Sequence, residues 1–241
     1  MEHKEYARKE VGEDGTVRYF DVDGKLHRED GPAIEWADGT KEWYRNGLPH
    51  REDGPAIEDP DGTKFWYRDG IRHREDGPAC EYADGKKKWY KNGELDRPDG
   101  PAIEYASGTK EWYRNGEIHR EDGPAVEYAN GSKFWIRHGY LHREDGPAVE
   151  RETGTKEWWV NDNRHREGGP AVEMADGSKS WYRHGYLHRE DGPACEYPDG
   201  FKEYWLSGKK LTEAEFRALH PEAFVASPGE KKRKAKRPGI G

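Results

Sequence analysis

The chain has 241 residues, of which 32% are hydrophobic and 37% are charged. No stretch reaches the roughly 20 consecutive apolar residues that span a bilayer, and residues 1–10 lack the apolar run of a secretion signal, so we expect a cytoplasmic protein without membrane insertion. Ten Trp and fourteen Tyr argue against the disorder that so polar a composition would otherwise suggest.

The sequence HREDGPA recurs at a fixed spacing of 23 residues, which is the signature of a repeat array. Eight such repeats fill residues 27–210. Residues 14–26, "DGTVRYFDVDGKL", look like half a repeat, so we expect residues 1–26 to be an N-terminal cap with a partial repeat. The copies begin at His27, His50, His73, His119, His142 and His188, with DRPDGPA at Asp96 and HREGGPA at His165.

Each repeat carries the signal of a β-hairpin. In residues 27–49, Asp38-Gly39 separates two runs of aromatic and β-branched residues, which predicts a two-residue type I′ turn with positive φ at both positions. This turn would place Ile34 opposite Trp43 and Ala33 opposite Tyr44. The Ile34 and Trp43 positions of all repeats are then expected to form the buried stripe, with the Tyr44 positions on the opposite face.

One hairpin alone is too small to fold. Burying one Ile and one Trp contributes about 4–6 kcal/mol, whereas ordering 23 residues costs on the order of 30 kcal/mol. The hairpins must therefore stack. We predict an all-β protein: an elongated, single-sheet array of antiparallel hairpins, capped by a short C-terminal helix. A parallel β-solenoid with one coil per repeat is the alternative.

The constant polar residues are interpreted as parts of the scaffold. Arg28, Glu35 and Lys41 have equivalents in every repeat, which predicts a ladder of salt bridges and hydrogen bonds that ties each loop to its sheet; a charged binding stripe is the alternative. Cys80 and Cys195 stand where other repeats have Ile or Val, so both are expected to be small core residues.

The seven equivalent histidines invite a metal hypothesis, which the spacing opposes. Adjacent repeats lie about 9–10 Å apart, whereas the ligands of one metal lie within roughly 2.1 Å of it. We expect each His to pack on a Trp or to cap a loop carbonyl, and we predict neither a metal nor a cofactor. Because near-identical copies provide no unique pocket, we also expect the protein not to be an enzyme.

The C-terminal region departs from the repeat. Thr212 and Glu215 form a predicted capping box, and Leu211, Phe216 and Leu219 could form the apolar face of a helix within residues 211–225 that ends before Pro221. Residues 226–241 are expected to be a disordered basic tail. Residues 230–241 hold six basic residues and one acidic residue, which leaves a net charge of −13 on residues 1–229.

Two surfaces are candidates for binding a partner. If the loops leave the Tyr44 face open, its Tyr and Trp residues could anchor another protein, and the variable positions could tune specificity; if the loops cover it, these residues are core. The predicted face comprises Tyr44, Tyr67, Tyr90, Tyr113, Trp159 and Tyr182, with the variable positions Phe65 and Phe134. The expected function is a non-catalytic scaffold, an adaptor or an inhibitor, for an unidentified protein.

The alternative function is association with nucleic acid through the basic tail, with the aromatic residues stacking on bases. The acidic body would repel such a polyanion. The tail residues that could contact phosphates are Lys231, Lys232, Arg233, Lys234, Lys236 and Arg237.

Residues 112–135 resemble the MORN repeat. The shared landmarks are a Trp before an Asn-Gly turn, a His three residues after that Gly, a further Gly, and an aromatic residue before a second Asn-Gly or Asp-Gly. The resemblance extends over residues 19–208 and implies a ribbon of β-hairpins that holds proteins together, of a kind found in bacteria and their viruses. Here the landmarks are Trp112, Asn115, Gly116, His119, Gly123, Tyr128, Asn130 and Gly131.

Overall fold

A computed structural model describes residues 6–224. The contacts within the chain divide it into two units, and the boundary in the sequence lies between Tyr140 and Leu141. We refer to the described residues up to 140 as unit 1 and to those from 141 as unit 2. Within residues 6–224, no helix has the length and apolarity required to cross a membrane.

Each repeat contributes two short strands to a sheet, and every recorded pairing of these strands is antiparallel. This confirms the all-β hairpin array and excludes the parallel solenoid for the described residues. In unit 1 the strands are Ile34–Glu35, Lys41–Glu42, Ile57–Glu58, Lys64–Phe65, Cys80–Glu81, Lys87–Lys88, Ile103–Glu104, Lys110–Glu111, Val126–Glu127 and Lys133–Phe134. In unit 2 they are Val149–Glu150, Lys156–Glu157, Val172–Glu173, Lys179–Ser180, Cys195–Glu196 and Lys202–Leu206.

The turn of this hairpin differs from the predicted type I′ turn. Gly39 donates its N–H to the Trp36 carbonyl (3.0 Å), and the Trp36 N–H in turn bonds to the Thr40 carbonyl (2.9 Å). Gly39 has a φ of +96°, whereas Asp38 is not among the residues with positive φ. The loop is therefore a type I turn followed by one left-handed glycine, a three-residue connection.

The extra loop residue shifts the register by one. Ile34 pairs with Glu42, and Glu35 pairs with Lys41. The predicted pairing of Ile34 with Trp43 is wrong, because a shift of one residue moves a side chain to the other face. The two columns therefore do not form one stripe: the Ile34 column is largely buried, as predicted, whereas Trp43 is half-buried. The alanines of the repeated sequence also have no exposure: Ala33 and its equivalents Ala56, Ala79, Ala102, Ala125, Ala148, Ala171 and Ala194.

A second hairpin in each repeat was not predicted from the sequence. In the first repeat, Tyr44 pairs with Pro49 and Arg45 pairs with Leu48. Its turn is formed by Asn46 and Gly47, with φ of 54° and 82°. Positive φ at both central positions defines the type I′ turn, which Asn-Gly favours. The turn type predicted for Asp38-Gly39 thus occurs eight residues later.

These second hairpins recur through both units as separate two-stranded ribbons. Adjacent ribbons are linked through their turns, because the Gly70 N–H bonds to the Pro49 carbonyl (2.9 Å). The paired strands are Tyr44–Arg45 with Leu48–Pro49, Tyr67–Arg68 with Ile71–Arg72, Tyr90–Lys91 with Glu94–Leu95, Tyr113–Arg114 with Glu117–Ile118, Trp159–Val160 with Asn163–Arg164, and Tyr182–Arg183 with Tyr186–Leu187. The strands Ile136–Arg137 and Tyr140–Leu141 occupy the same repeat positions.

Each unit ends in a distinct element. In unit 1, strand Arg8–Val11 pairs with Val17–Phe20, which then pairs with Ile34–Glu35. In unit 2, Lys202–Leu206 pairs with Lys209–Leu211. The chain then forms helix α1, Glu213–Leu219, and a 3₁₀ turn at Pro221–Phe224.

Helix α1 begins with the predicted capping box between Thr212 and Glu215. Its Phe216 is fully buried, and the Phe216 ring lies 4.9 Å from the Tyr204 ring. Leu219 is 62% exposed. The predicted apolar face therefore holds for Phe216 and is wrong for Leu219. The predicted tail, residues 226–241, lies outside the described residues.

Candidate protein-binding surface

The two sides of the sheet are chemically distinct. We call the side that carries the HREDGPA loops and the Trp43 positions the loop face. The other side, which carries the Ile34, Trp36, Glu42 and Tyr44 positions, we call the aromatic face. Tyr44 and Trp36 both donate hydrogen bonds to the Glu42 carboxylate, at 2.9 and 2.8 Å, which shows that these three side chains share one side.

On the loop face, most arginines of the repeated sequence stack on the Trp of the preceding repeat, and Arg28 stacks on Tyr19. The arginines stacked on Trp are Arg51, Arg74, Arg97, Arg120, Arg166 and Arg189. The Arg51 guanidinium carbon lies 4.1 Å from the centre of the Trp43 ring. On its other side, a Cβ built on Gly54 would come within 2.9 Å of that carbon. The glycine of HREDGPA therefore leaves room for a guanidinium held between the backbone and the indole.

The same arginine ties the loop to the sheet. Arg51 bonds to Asp53 through Nε (3.0 Å), and through Nη1 to the Pro55 carbonyl (3.3 Å) and the Glu58 carboxylate (3.1 Å). The bond from Arg51 holds the pKa of Asp53 below its usual range. These contacts confirm the predicted ladder for Arg and Glu. The Lys column differs: Lys41 is exposed and lies opposite Glu35, whose carboxylate bonds to Arg28.

The histidines act as acceptors for the second hairpin. Nδ1 of His73 accepts the backbone N–H of Asn92 at 3.1 Å, and His27, His50, His119, His165 and His188 do the same in their repeats. His142 differs, because its Nδ1 lies 2.9 Å from the Asn161 side-chain oxygen. At Asp96, which replaces His, Oδ1 accepts the Asn115 N–H at 3.2 Å. The sequence predicted that each His would cap a loop carbonyl, but in the structure His73 accepts a hydrogen bond from the N–H of a turn residue. This role requires Nδ1 to be unprotonated, because a protonated nitrogen cannot accept.

Every predicted aromatic residue of the binding face is half-buried. None of the six residues Tyr44, Tyr67, Tyr90, Tyr113, Trp159 and Tyr182 is fully covered, and the same holds for Phe65 and Phe134. The loops pack on the Trp43 side, so they do not cover this face. The sequence left two possibilities open, and neither fits: the residues are neither enclosed core nor fully exposed anchors.

In unit 1 the aromatic face contains a cluster centred on Arg72. Its guanidinium carbon lies 5.4 Å from the Phe65 ring, and 5.6 Å from the rings of both Tyr67 and Tyr90. Arg72 Nε also donates to the Tyr67 hydroxyl at 3.0 Å. Sequence analysis missed Arg72, because the strand that carries it belongs to the second hairpin. We call Phe65, Tyr67, Arg72 and Tyr90 the Arg72 cluster.

The variable positions alternate with buried small residues along this face. Phe65 pairs with Cys80, and Cys80 pairs with Lys88. Cys80 and its equivalent Cys195 are buried free thiols, as predicted, and burial raises the pKa of both. A variable side chain therefore lies on either side of Cys80. A substitution at such a position changes the chemistry of the aromatic face and leaves the strand pairing the same.

Elsewhere in unit 1 the tyrosines are bonded to carboxylates. Tyr44 bonds to Glu42, and Tyr113 bonds to Glu111 at 3.2 Å. Burial, followed by these carboxylates, raises the pKa of both phenols to about 12. The hydroxyls are therefore neutral donors at physiological pH. Together with Arg72 and Lys88, they give the aromatic face alternating acidic and basic positions.

Unit 2 has a comparable site with a carboxylate at its centre. Arg164 lies 4.9 Å from the Trp159 ring and 5.4 Å from the Tyr182 ring. Glu157 is 5% exposed and accepts bonds from Arg164 (3.0 Å) and Arg151 (3.2 Å). The centre of this region is a carboxylate neutralised within the chain, whereas unit 1 has Phe65 at the equivalent position.

The loop face is cut by clefts between successive HREDGPA loops. One of about 690 Å³ lies between the loops that begin at His50 and His73, and another of about 800 Å³ lies between those that begin at Asp96 and His119. Clefts of this kind recur because the loops on either side recur with each repeat. Within residues 6–224, no group of three or more His, Cys, Asp or Glu side chains is arranged to hold a metal ion. The predicted tail contacts, Lys231 to Arg237, lie outside the described residues.

No protein-family model matches the chain, and no curated protein matches it. Among solved structures, the G-box domain of the microcephaly protein CPAP is similar, with 15% identity, 86% of this chain and 97% of that chain covered, and a TM-score of 0.22. A mutant of the TCP10 domain of Danio rerio CPAP has 16% identity, 86% and 98% coverage and a TM-score of 0.19. TM-scores this low do not establish a common fold.

Proposed function

We propose that this chain is a MORN-like repeat protein that acts as a non-catalytic scaffold, an adaptor or an inhibitor, and binds another protein along its aromatic face. The observation that carries the proposal is the Arg72 cluster: one Arg among three aromatic rings, on the side of the sheet that the loops leave uncovered. Tyr, Trp and Arg are the residue types that dominate binding energy at protein interfaces.

The surrounding charges define the partner. Arg72, Lys86 and Lys88 make the centre of the unit 1 aromatic face basic, and the Lys86 ammonium lies 4.4 Å from the Tyr105 ring. Acidic side chains, Glu42 and Glu111, lie in the rows towards either end. A complementary partner presents an apolar side chain between the rings and a carboxylate against Arg72.

Support also comes from how the sequence varies. Residues constant in every repeat, such as Arg51 and Gly54, are committed to the loop contacts. The positions equivalent to Phe65 carry Glu, Lys, Phe or Ser. Variation at these positions of the aromatic face fits a scaffold that distinguishes partners. A cytoplasmic location, in a bacterium or in a cell infected by its virus, belongs to the same proposal.

The test is affinity capture from the native host with the full chain and two matched variants. Phe65→Glu alters the Arg72 cluster, and equivalent positions naturally carry Glu. Leu48→Glu is the control: it lies on the loop-face side, is 48% exposed, and has Glu94 and Glu117 as natural equivalents. We expect a protein partner retained by the wild type and by Leu48→Glu to be lost from Phe65→Glu.

A chain shortened after residue 225 separates this proposal from nucleic-acid association. The protein partner should remain bound to the shortened chain. If the shortened chain instead loses every partner, and the partner of the full chain is nucleic acid released by salt, the basic tail carries the function and the scaffold proposal is wrong.

A further inference from the structure

The loop that begins at His165 differs from its relatives at one residue. It reads HREGGPA, so Gly168 stands where the other loops have Asp. Gly168 has a φ of +73°, whereas none of the equivalent aspartates is among the residues with positive φ. The substitution therefore changes both the chemistry and the backbone of this loop.

In the regular loops, that aspartate occupies one edge of the arginine. Arg189 in unit 2 donates from Nε to Asp191 at 2.7 Å. The same bond is 3.0 Å from Arg51 to Asp53 and 2.8 Å from Arg74 to Asp76. The protein itself thus shows how a carboxylate sits on this guanidinium.

Arg166 keeps the rest of the arrangement. Its Nη1 donates to the Pro170 carbonyl at 3.0 Å and to Glu173 at 2.7 Å, as Arg189 does with its own equivalents. Its guanidinium carbon lies 3.7 Å from the Trp158 ring. These contacts fix the plane of the guanidinium, so the direction of the Nε–H is fixed as well.

The edge normally occupied by aspartate is uncovered in Arg166. Its side chain is 30% exposed, compared with 20% for Arg189 and 23% for Arg51. Arg97, in the divergent loop DRPDGPA, is also 30% exposed, but that loop keeps its own carboxylate at Asp99. Among the described residues, no hydrogen bond from Arg166 Nε is recorded. The edge opens into a cleft of about 520 Å³ that also contains Glu167, Glu190 and Asp191. Asp191 is paired with Arg189, and Glu190 lies 3.2 Å from His188.

We propose that Arg166 is a binding site for an external carboxylate, which takes the position of the missing aspartate. The guanidinium is oriented in advance by the indole, the carbonyl and Glu173, so a ligand does not have to order it. In the regular loops one aspartate oxygen accepts the Nε–H, and a carboxylate oxygen of the ligand takes that place at Arg166. The site is on the loop face and is independent of the proposed aromatic-face interaction.

The test follows the Arg166 Nε–H resonance of the full-length protein by ¹H–¹⁵N NMR, assigned with Arg166→Lys. Sodium acetate is titrated at constant ionic strength against sodium chloride. We expect a saturable shift of this resonance in the wild type. Gly168→Asp restores the sequence HREDGPA and should abolish the shift, because the internal carboxylate then occupies the edge. Gly168→Ala supplies a side chain without a carboxylate and should retain it.

Further arms define the ligand. Inorganic phosphate should shift the resonance less than acetate does. A blocked peptide with one Asp that binds more tightly than acetate would indicate a protein side chain as the source, and equal affinity would indicate a free carboxylate. The proposal is overturned if acetate produces no saturable shift in the wild type, as when Glu167 covers the edge, or if Gly168→Asp responds as strongly as the wild type.

Discussion

The loop face and the aromatic face of the same sheet differ in how much their residues vary from repeat to repeat. On the loop face, Arg51 makes four specific contacts, with Trp43, Asp53, Pro55 and Glu58. The same four contacts recur at Arg74, Arg120 and Arg189. On the aromatic face, a position such as Phe65 is free to change from repeat to repeat. Constancy therefore marks the residues that make each repeat fold, and variation marks the surface available for recognition.

The largest expected effect tests the loop face. Arg74→Ala removes the bonds to Asp76, Glu81 and the Pro78 carbonyl and the stacking on Trp66. We expect the free energy of unfolding to fall by about 2–3 kcal/mol, since three hydrogen bonds and the stacking on the indole are lost together. Urea denaturation followed by tryptophan fluorescence measures it. The exposed Arg68→Ala is the control, with a change within about 0.5 kcal/mol; equal effects would contradict the structural role of the loop arginine.

A smaller effect separates turn strain from packing. Gly93 and Gly139 both occupy the second position of a type I′ turn, with φ of 85° and 79°. A Cβ on Gly93 would lie 3.2 Å from Ile71, whereas Gly139 has no atom within 4 Å of that position. Alanine at either site should cost about 1–2 kcal/mol through the left-handed backbone.

Because of the added contact, Gly93→Ala should be the more destabilising of the two substitutions. Thermal unfolding of both variants gives the difference directly. If Gly139→Ala were as stable as the wild type, the second hairpin would not require the type I′ turn, and the connection between ribbons described for Gly70 would need another explanation.

The smallest effect concerns pH. Burial, with a further contribution from the neighbouring His138, lowers the pKa of His119 below its ordinary value of 6.5. A lowered pKa in the folded state means that the unfolded chain binds the proton more readily. Its stabilising contribution is therefore present above about pH 6.5 and is lost as the pH falls, when Nδ1 can no longer accept the His138 N–H.

We expect the melting temperature of the wild type to decrease between pH 7.5 and pH 5. His119→Asp copies the natural Asp96, whose oxygen accepts the same kind of N–H, and should weaken this dependence. Melting curves at both pH values for both proteins provide the measurement. An unchanged pH dependence in His119→Asp would show that other groups cause the acid sensitivity.

Parts of the fold and of the candidate site follow from local sequence. The 23-residue period, the antiparallel hairpins, the capping box of Thr212 and the buried Cys80 were all predicted, because each depends on spacing or on residues close together in the chain. The predicted aromatic positions share one face with Phe65, as alternation along a strand requires.

Other parts needed the tertiary structure. Sequence alone determined that the chain repeats, that each repeat folds back on itself, and which residues are constant. Only the structure decided that Asp38-Gly39 forms a three-residue loop, that Trp43 lies beneath Arg51, and that Arg72 joins the aromatic face. The physical reason is that one extra residue in a turn reverses every side chain beyond it. Contacts between adjacent repeats then decide which residues meet.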